Sequence, residues 1–188
     1  GINSASEYKQ VARDLEIVRQ YHNRYHVCHI STKETVALLN EAQKEGLSVS
    51  GEASPHHLIL TEDNIQDCHP NFKMNPPLRS QEDHQALIQG LNDRTITVIA
   101  TDHAPHARDE KNTSIQNAPF GIIGLQHAFP LLYTYLVKKN LVSLETILDA
   151  LTVGPAQVLH FDCQVQTGSL ANLCIFDLDQ SFTIEEKD

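Results

Sequence analysis

The chain has 188 residues, of which 40% are hydrophobic, so it is long enough to bury the core of one domain with a small appendage. Its 14 Lys and Arg residues against 24 Asp and Glu residues give a formal net charge of -10, and the absence of a basic cluster argues against nucleic acid as a partner. No apolar stretch is as long as a membrane span, and the cysteines occur singly, as is typical of reduced thiols. We therefore expect a soluble, cytoplasmic protein with no nucleic-acid or membrane partner.

The first predicted unit is a strand followed by a helix. Residues 25–30 form a short β-prone run, and Ser31 begins a sequence that has the form of a helix capping box. The apolar pattern that follows predicts a helix that ends at Gly46, where a positive φ suits a C-terminal cap. Residues 47–52 are a second strand candidate.

A long loop separates this unit from the clearest strand of the sequence. The loop covers residues 54–79, and loops of this length in compact domains are usually functional. Ser80 is placed to cap a helix that ends near Gly90, and the apolar residues 95–100 predict a buried strand. Strands that alternate with helices predict an α/β fold with a parallel sheet.

The remaining sequence predicts further helices and then a different kind of tail. Helical patterns cover about 125–138 and 143–151, and Gly154 with Pro155 starts another helical turn. Alternating apolar residues between 165 and 184 predict short β-strands outside the main unit. Because a (β/α)₈ barrel usually needs about 250 residues, the chain is either the last third of such a barrel with a small β appendage or a complete smaller α/β domain.

Two side chains with metal-binding chemistry lie where predicted strands end. In parallel β/α proteins, active-site groups occupy the C-terminal ends of strands, which favours His29 and Asp102 as functional residues. Alternation along the first strand places His26 and His29 on opposite faces, so we expect that they do not chelate one ion together. Each residue also has an ordinary interpretation: His29 as a hydrogen-bonded core histidine, Asp102 as a turn cap and Asn75 as plain turn chemistry.

Five short motifs occur in a fixed order along the chain. They are HVCHISTK (26–33), SPHHL (54–58), KMNPPLR (73–79), ATDHAPH (100–106) and APFG (118–121). In this order they resemble the dihydroorotases of the bacterial class I type, within the amidohydrolase superfamily. The resemblance covers nearly the whole chain, and MNPP with His106 favours dihydroorotase over allantoinase or dihydropyrimidinase.

This resemblance implies a fold in which the chain supplies the C-terminal part of a (β/α)₈ TIM-like barrel. Residues 1–160 would form part of the amidohydrolase barrel, and residues 161–188 would form part of a small β-sandwich-like appendage. The motifs also imply that His56 and His57 have no metal role and support the loop that contains them.

The resemblance further implies a reaction and its residues. Two Zn²⁺ ions in the complete active site would hold a hydroxide that attacks the cyclic amide of dihydroorotate, reversibly giving N-carbamoyl-L-aspartate in pyrimidine biosynthesis. His29 would be a ligand of the second metal ion, and Asp102 would be a ligand of the first and also the catalytic general base. The groups that would bind the substrate are Asn75, His106, Phe120 and Gly121.

The metal site of the family needs more ligands than these 188 residues provide. An upstream His-x-His pair with an adjacent Arg, a bridging carboxylate or carboxylated lysine, and another histidine are expected from the resemblance. A catalytic zinc normally takes three protein ligands and water, so we expect the isolated chain to hold few or no zinc ions and to be inactive. A homodimer or a complex with aspartate transcarbamoylase is the expected assembly. The alternatives are an inactive dihydroorotase-like partner of aspartate transcarbamoylase and another cyclic amidohydrolase.

Overall fold

A computed structural model describes residues 2–185 of the chain. In this part a three-stranded parallel sheet has the order β1-β2-β3, which confirms the predicted α/β fold with a parallel sheet. The strands are β1 (Tyr25–Val27), β2 (Val49–Ala53) and β3 (Val98–Ile99). The helices are α1 (Ala5–Tyr21), α2 (Lys33–Lys44), α3 (Pro55–Ile59), α4 (Gln81–Asn92), α5 (Arg108–Lys111), α6 (Ala128–Leu132), α7 (Leu144–Leu151) and α8 (Val153–Leu159). Short 3₁₀ turns lie at Glu62–Asn64 and Pro70–Phe72, and α6 continues as a π-helical turn at Tyr133–Val137.

The main core lies between one face of the sheet and the helices. Val27, Ala53 and Ile99 are buried there, because parallel pairing with alternating side chains directs one residue of each strand toward the helical layer. Leu39 of α2 and Leu87 of α4 pack into the same core. Replacing a fully buried leucine of this kind by alanine typically costs about 2–5 kcal/mol.

The start of α2 differs by one residue from the predicted start. Thr32, not Ser31, is the N-cap, and its side chain accepts a hydrogen bond from the backbone N–H of Thr35. Ser31 is instead buried and contacts Glu7 of α1. Gly46, with a φ of 81°, follows the end of α2 as predicted.

Residues 161–185 do not form the β-strands that the alternating apolar pattern predicts. An isolated strand pair is marginal at best in water, and a strand needs a partner edge that this part of the chain does not meet within the described residues. Leu170 and Ile175 are consequently exposed, although the ring of Phe176 stacks on Phe129 of α6 at 3.9 Å between centroids. The β-sandwich-like appendage of residues 161–188 stays a prediction, and its last three residues lie outside the described part.

Within residues 2–185, no helix has the length and apolar character that crossing a membrane requires.

Candidate active site

His29 and Asp102 lie at the same edge of the sheet. His29 follows β1 and Asp102 follows β3, and the C-terminal ends of parallel strands share one edge. The Nε2 atom of His29 is 3.6 Å from Oδ1 of Asp102. Both side chains therefore open toward the same side, at the ends of near-neighbouring strands.

Both residues leave their strands with a left-handed backbone. The φ angle is 51° at His29 and 50° at Asp102, a region that few residues other than glycine adopt, although Asn, Asp and His tolerate it best. This turn ends the alternation of β1 before His29. The expectation that His26 and His29 face opposite sides is therefore wrong, because both imidazoles reach the same carboxylate.

That carboxylate belongs to Glu52, near the end of β2. Oε2 of Glu52 accepts a hydrogen bond from Nε2 of His26 at 3.0 Å, and Oε1 is 2.9 Å from Nδ1 of His29. The second contact has the distance of an ion pair without the alignment of a good hydrogen bond. Glu52 lies outside the five sequence motifs. The only signal for it in the sequence is its acidic side chain in a predicted strand.

The protonation of this cluster follows from its contacts. Burial raises the pKa of Glu52, but the two histidines outweigh it and bring the pKa to about 2, so the carboxylate is ionised. The same carboxylate raises the pKa of His29 against the effect of burial, and the charge of Asp102 adds to the rise.

His29 and Asp102 carry two of the atom types that zinc binds, histidine nitrogen and carboxylate oxygen, and these atoms lie 3.6 Å apart. One imidazole and one carboxylate form a donor set that suits zinc, but a catalytic zinc normally takes a third protein ligand.

The groups expected to bind substrate are gathered by loop contacts. Nε2 of His106 donates to the carbonyl of Phe120 at 2.8 Å. The N–H of Gly121 donates to the carbonyl of Lys73 at 2.9 Å, which places this loop beside the segment that leads to Asn75. The side chain of Asn75 is exposed and has no hydrogen-bond partner among residues 2–185. The structure thus joins His106 with Phe120 and Gly121 with the Asn75 segment.

Gly121 allows the loops after β3 to meet. Its φ is 110°, and a Cβ atom there would lie 2.4 Å from Cβ of Ala104, so a larger residue would be strained and would clash. The N–H of Ala104 donates to the carbonyl of Ile122 at 2.9 Å, within a local bridge between His103 and Ile122. These contacts keep the predicted substrate loop next to the segment that carries Asp102.

His56 and His57 are buried beneath this loop. Nε2 of His57 donates to the carbonyl of Pro76 at 2.9 Å, so His57 supports the loop as expected, whereas Nε2 of His56 has no hydrogen-bond partner among residues 2–185. The two rings lie 4.4 Å apart between centroids. Burial lowers the pKa of His56 to about 3 and also lowers the pKa of His57, so both rings are neutral near pH 7.

Comparison with known sequences supports the motif-based interpretation. The dihydroorotase of Bacillus cereus (strain AH820) is 48% identical over 186 residues, which are 98% of this chain and 44% of that protein. The dihydroorotase of Shouchella clausii (strain KSM-K16) is 50% identical with the same coverage. The chain therefore spans less than half the length of these curated relatives.

Solved structures share the fold. The L-hydantoinase (dihydropyrimidinase) from Arthrobacter aurescens matches with a TM-score of 0.82 and 29% identity, over 87% of this chain and 38% of that one. The dihydropyrimidinase from Brevibacillus agri NCHU1002 also has a TM-score of 0.82, at 20% identity over 90% of this chain and 39% of that one, which shows the fold alone. Residues 5–187 match the sequence pattern of one family, and the chain belongs to that family, the amidohydrolases.

Proposed function

We propose that this chain carries part of the active site of a dihydroorotase, which hydrolyses the cyclic amide of dihydroorotate reversibly to N-carbamoyl-L-aspartate. The observation that carries this proposal is the 3.6 Å approach of His29 Nε2 to Asp102 Oδ1 at one edge of the parallel sheet. The identity of 48% and 50% to two dihydroorotases favours this substrate over those of other cyclic amidohydrolases.

The architecture we propose is the C-terminal part of a (β/α)₈ barrel in residues 1–160, followed by part of a β-sandwich-like appendage in residues 161–188. Parallel strands covered by helices support the first part, as does the superposition on the L-hydantoinase. In such a barrel the active site lies at the C-terminal ends of the strands. His29 and Asp102 would then lie at the mouth of the barrel.

We propose zinc as the metal, with two ions in the complete site: His29 would be a ligand of one ion, Asp102 would be a ligand of the other, and further ligands would complete both. When bound, the metal supplies a Lewis acid that polarises the amide carbonyl and lowers the pKa of water. The chain itself supplies the proton transfer. Asp102 takes the proton of the attacking water and delivers it to the ring nitrogen as the bond between that nitrogen and the carbonyl carbon breaks.

Asn75, His106, Phe120 and Gly121 are proposed to bind the substrate. His106 and Asn75 offer side-chain groups, and Phe120 with Gly121 offers backbone groups. The N–H of Gly121 is engaged by the carbonyl of Lys73, so contact with a substrate at this N–H requires that hydrogen bond to exchange. The loops would therefore shift slightly as the substrate binds.

The test is an assay of the full-length protein with dihydroorotate and, in the reverse direction, with N-carbamoyl-L-aspartate. We expect turnover in both directions that is lost with a chelator and restored by Zn²⁺. Dihydrouracil, hydantoin and allantoin serve as competing substrates, and a preference for one of them would assign another cyclic amidohydrolase. A protein without turnover that binds aspartate transcarbamoylase would instead be the inactive partner.

Assembly and location complete the proposal. A homodimer or a complex with aspartate transcarbamoylase is the proposed assembly, and sedimentation of the full-length protein with and without that enzyme tests it. The singly placed cysteines of the sequence favour a reducing compartment, and we propose the cytoplasm.

A further inference from the structure

A line of polar contacts connects the interior of β1 and β2 to His29. Ser50 Oγ lies 2.7 Å from Nδ1 of His26, whose Nε2 donates to Glu52. Glu52 contacts Nδ1 of His29 at 2.9 Å, and Nε2 of His29 faces Asp102. The pairing of His26 with Ser50 in the parallel register of the two strands places these side chains side by side. The line therefore depends on strand pairing, and it ends at the proposed metal ligands.

The contacts of His29 distinguish its two ring nitrogens. A carboxylate oxygen accepts, so the ring nitrogen closest to the carboxylate of Glu52 is the one that carries the proton in the neutral ring. That nitrogen is Nδ1, and the Nε2 lone pair is then left free toward Asp102. Histidines that bind metals in proteins commonly donate their second N–H to a carboxylate, which sets the tautomer and the ring orientation.

We propose that Glu52 is a positioning residue for His29: its carboxylate, 2.9 Å from Nδ1, favours the proton on that nitrogen and leaves the Nε2 lone pair toward Asp102. His26 acts through Glu52, because its hydrogen bond occupies the second carboxylate oxygen and limits rotation of the carboxylate. This inference rests on the proposed function, which makes His29 a metal ligand.

A different interpretation would make His26, Cys28 and Glu52 a separate metal site. Their ligand atoms lie within 4.8 Å of one another. However, both oxygens of Glu52 already face imidazoles, and Nδ1 of His26 is held by Ser50. The positioning role therefore fits the contacts better.

The first test is the tautomer of His29 in the metal-free, full-length protein, labelled with ¹⁵N-histidine. Long-range ¹H–¹⁵N spectra at alkaline pH should show the proton of His29 on Nδ1. The resonance is assigned by its loss in His29→Asn. Glu52→Gln should reduce the Nδ1–H population, because the amide has no charge and presents an NH2 donor in place of one of the two carboxylate oxygens that face the histidines. A wild-type His29 with its proton on Nε2 would overturn the proposal without any variant.

The second test is zinc affinity, measured by competition with a chromophoric chelator. Glu52→Gln should weaken binding by about 10- to 100-fold, the usual effect of removing such a carboxylate partner, and His26→Gln should weaken it less. Cys28→Ser is the matched control and should leave the affinity unchanged. Equal losses in Cys28→Ser and Glu52→Gln would instead support the separate metal site and reject the positioning role.

The reference variant His29→Asn separates the two proposals. If His29→Asn binds zinc as tightly as the wild type, His29 is not a metal ligand and the proposed function is contradicted. If it loses zinc while Glu52→Gln keeps both the affinity and the tautomer, only the positioning role fails. Circular dichroism shows which variants are folded. If a variant does not fold, the tautomer of His29 in the wild-type protein decides the question.

Discussion

Asp102 and Asn75 lie in different surroundings, although both belong to the motifs. Asp102 is beside His29 at the sheet edge, whereas Asn75 is exposed on a loop. On the proposed roles, Asp102→Ala removes a metal ligand and the proton carrier, so kcat should fall by well over the roughly 10²- to 10⁴-fold usual for acid–base help alone. Asn75→Ala removes a neutral hydrogen bond worth about 1–3 kcal/mol and should act mainly on KM or kcat/KM.

Steady-state kinetics of the full-length protein in the dihydroorotate direction, with metal analysis of each variant, distinguish these outcomes. Asp102→Ala should also lower the metal content, while Asn75→Ala should leave it unchanged. A near-normal kcat in Asp102→Ala, or an empty metal site in Asn75→Ala, would contradict the assigned roles.

His56 predicts a pH dependence of stability. Its pKa is about 3 in the folded chain, mainly because of burial, and about 6.5 in an unfolded chain. The unfolded state therefore binds more protons between these values, so the contribution of His56 to stability is present above about pH 6.5 and is lost as the pH falls toward 3. In His56→Leu, the free energy of unfolding should depend less steeply on pH in this window.

Urea denaturation at a series of pH values between 7.5 and 4, performed on the metal-free protein, measures this slope. His22→Gln, at an exposed position, is the control and should keep the wild-type slope. An unchanged slope in His56→Leu would show that His56 is not held neutral by burial.

Helix α1 is attached to the turn between β1 and α2 through one carboxylate. Glu7 accepts hydrogen bonds from the backbone N–H groups of Ser31 at 3.0 Å and Thr32 at 3.1 Å, and from both of their hydroxyl groups. Ser31 and Thr32 are fully buried, so their N–H groups have no access to water. This contact fixes the turn that directly follows His29.

Glu7→Ala should destabilise the protein, because it leaves buried donors unpaired at about 1–3 kcal/mol each. Glu16→Ala on the same helix is the matched control, since that side chain is 73% exposed and pairs only at the surface. The midpoint of urea denaturation should fall clearly in the first variant and hardly change in the second. Equal midpoints would show that the turn does not depend on α1.

The sequence predicts the elements whose signals are local, and it misses those that depend on distant partners. Both helix caps at Ser80 and Gly46 follow from short-range chemistry and are present. The tail alternates in polarity, but strand formation also needs a partner edge. Helix α1 was not predicted, although its buried Val11 and Leu15 have helical spacing.

The site shows the same division between local and distant signals. His29 and Asp102 follow from strand ends and motifs. The role of Glu52 depends on the register between β1 and β2 and on the left-handed φ at His29, and neither can be inferred from the residues around it.

At the scale of the whole molecule, the described residues bring together two of the ligands expected for zinc. A catalytic zinc normally takes three protein ligands and water, so the 188-residue chain by itself should show no dihydroorotase activity at neutral pH. An assay of the purified chain beside the full-length protein, at equal concentration and with added Zn²⁺, measures this. Turnover by the chain alone that disappears with a chelator would contradict the expectation.

The left-handed backbone at His29 and Asp102 also affects how these positions tolerate replacement. Alanine pays a conformational penalty there of roughly 1–2 kcal/mol, whereas glycine adopts the same angles freely. Comparing the glycine and alanine variants of one position therefore separates the lost ligand from the strained main chain. Among the residues that tolerate this conformation best, His and Asp also carry strong metal-binding atoms. The positive φ angles at His29 and Asp102 therefore limit which amino acids fit these positions, independently of any chemical role.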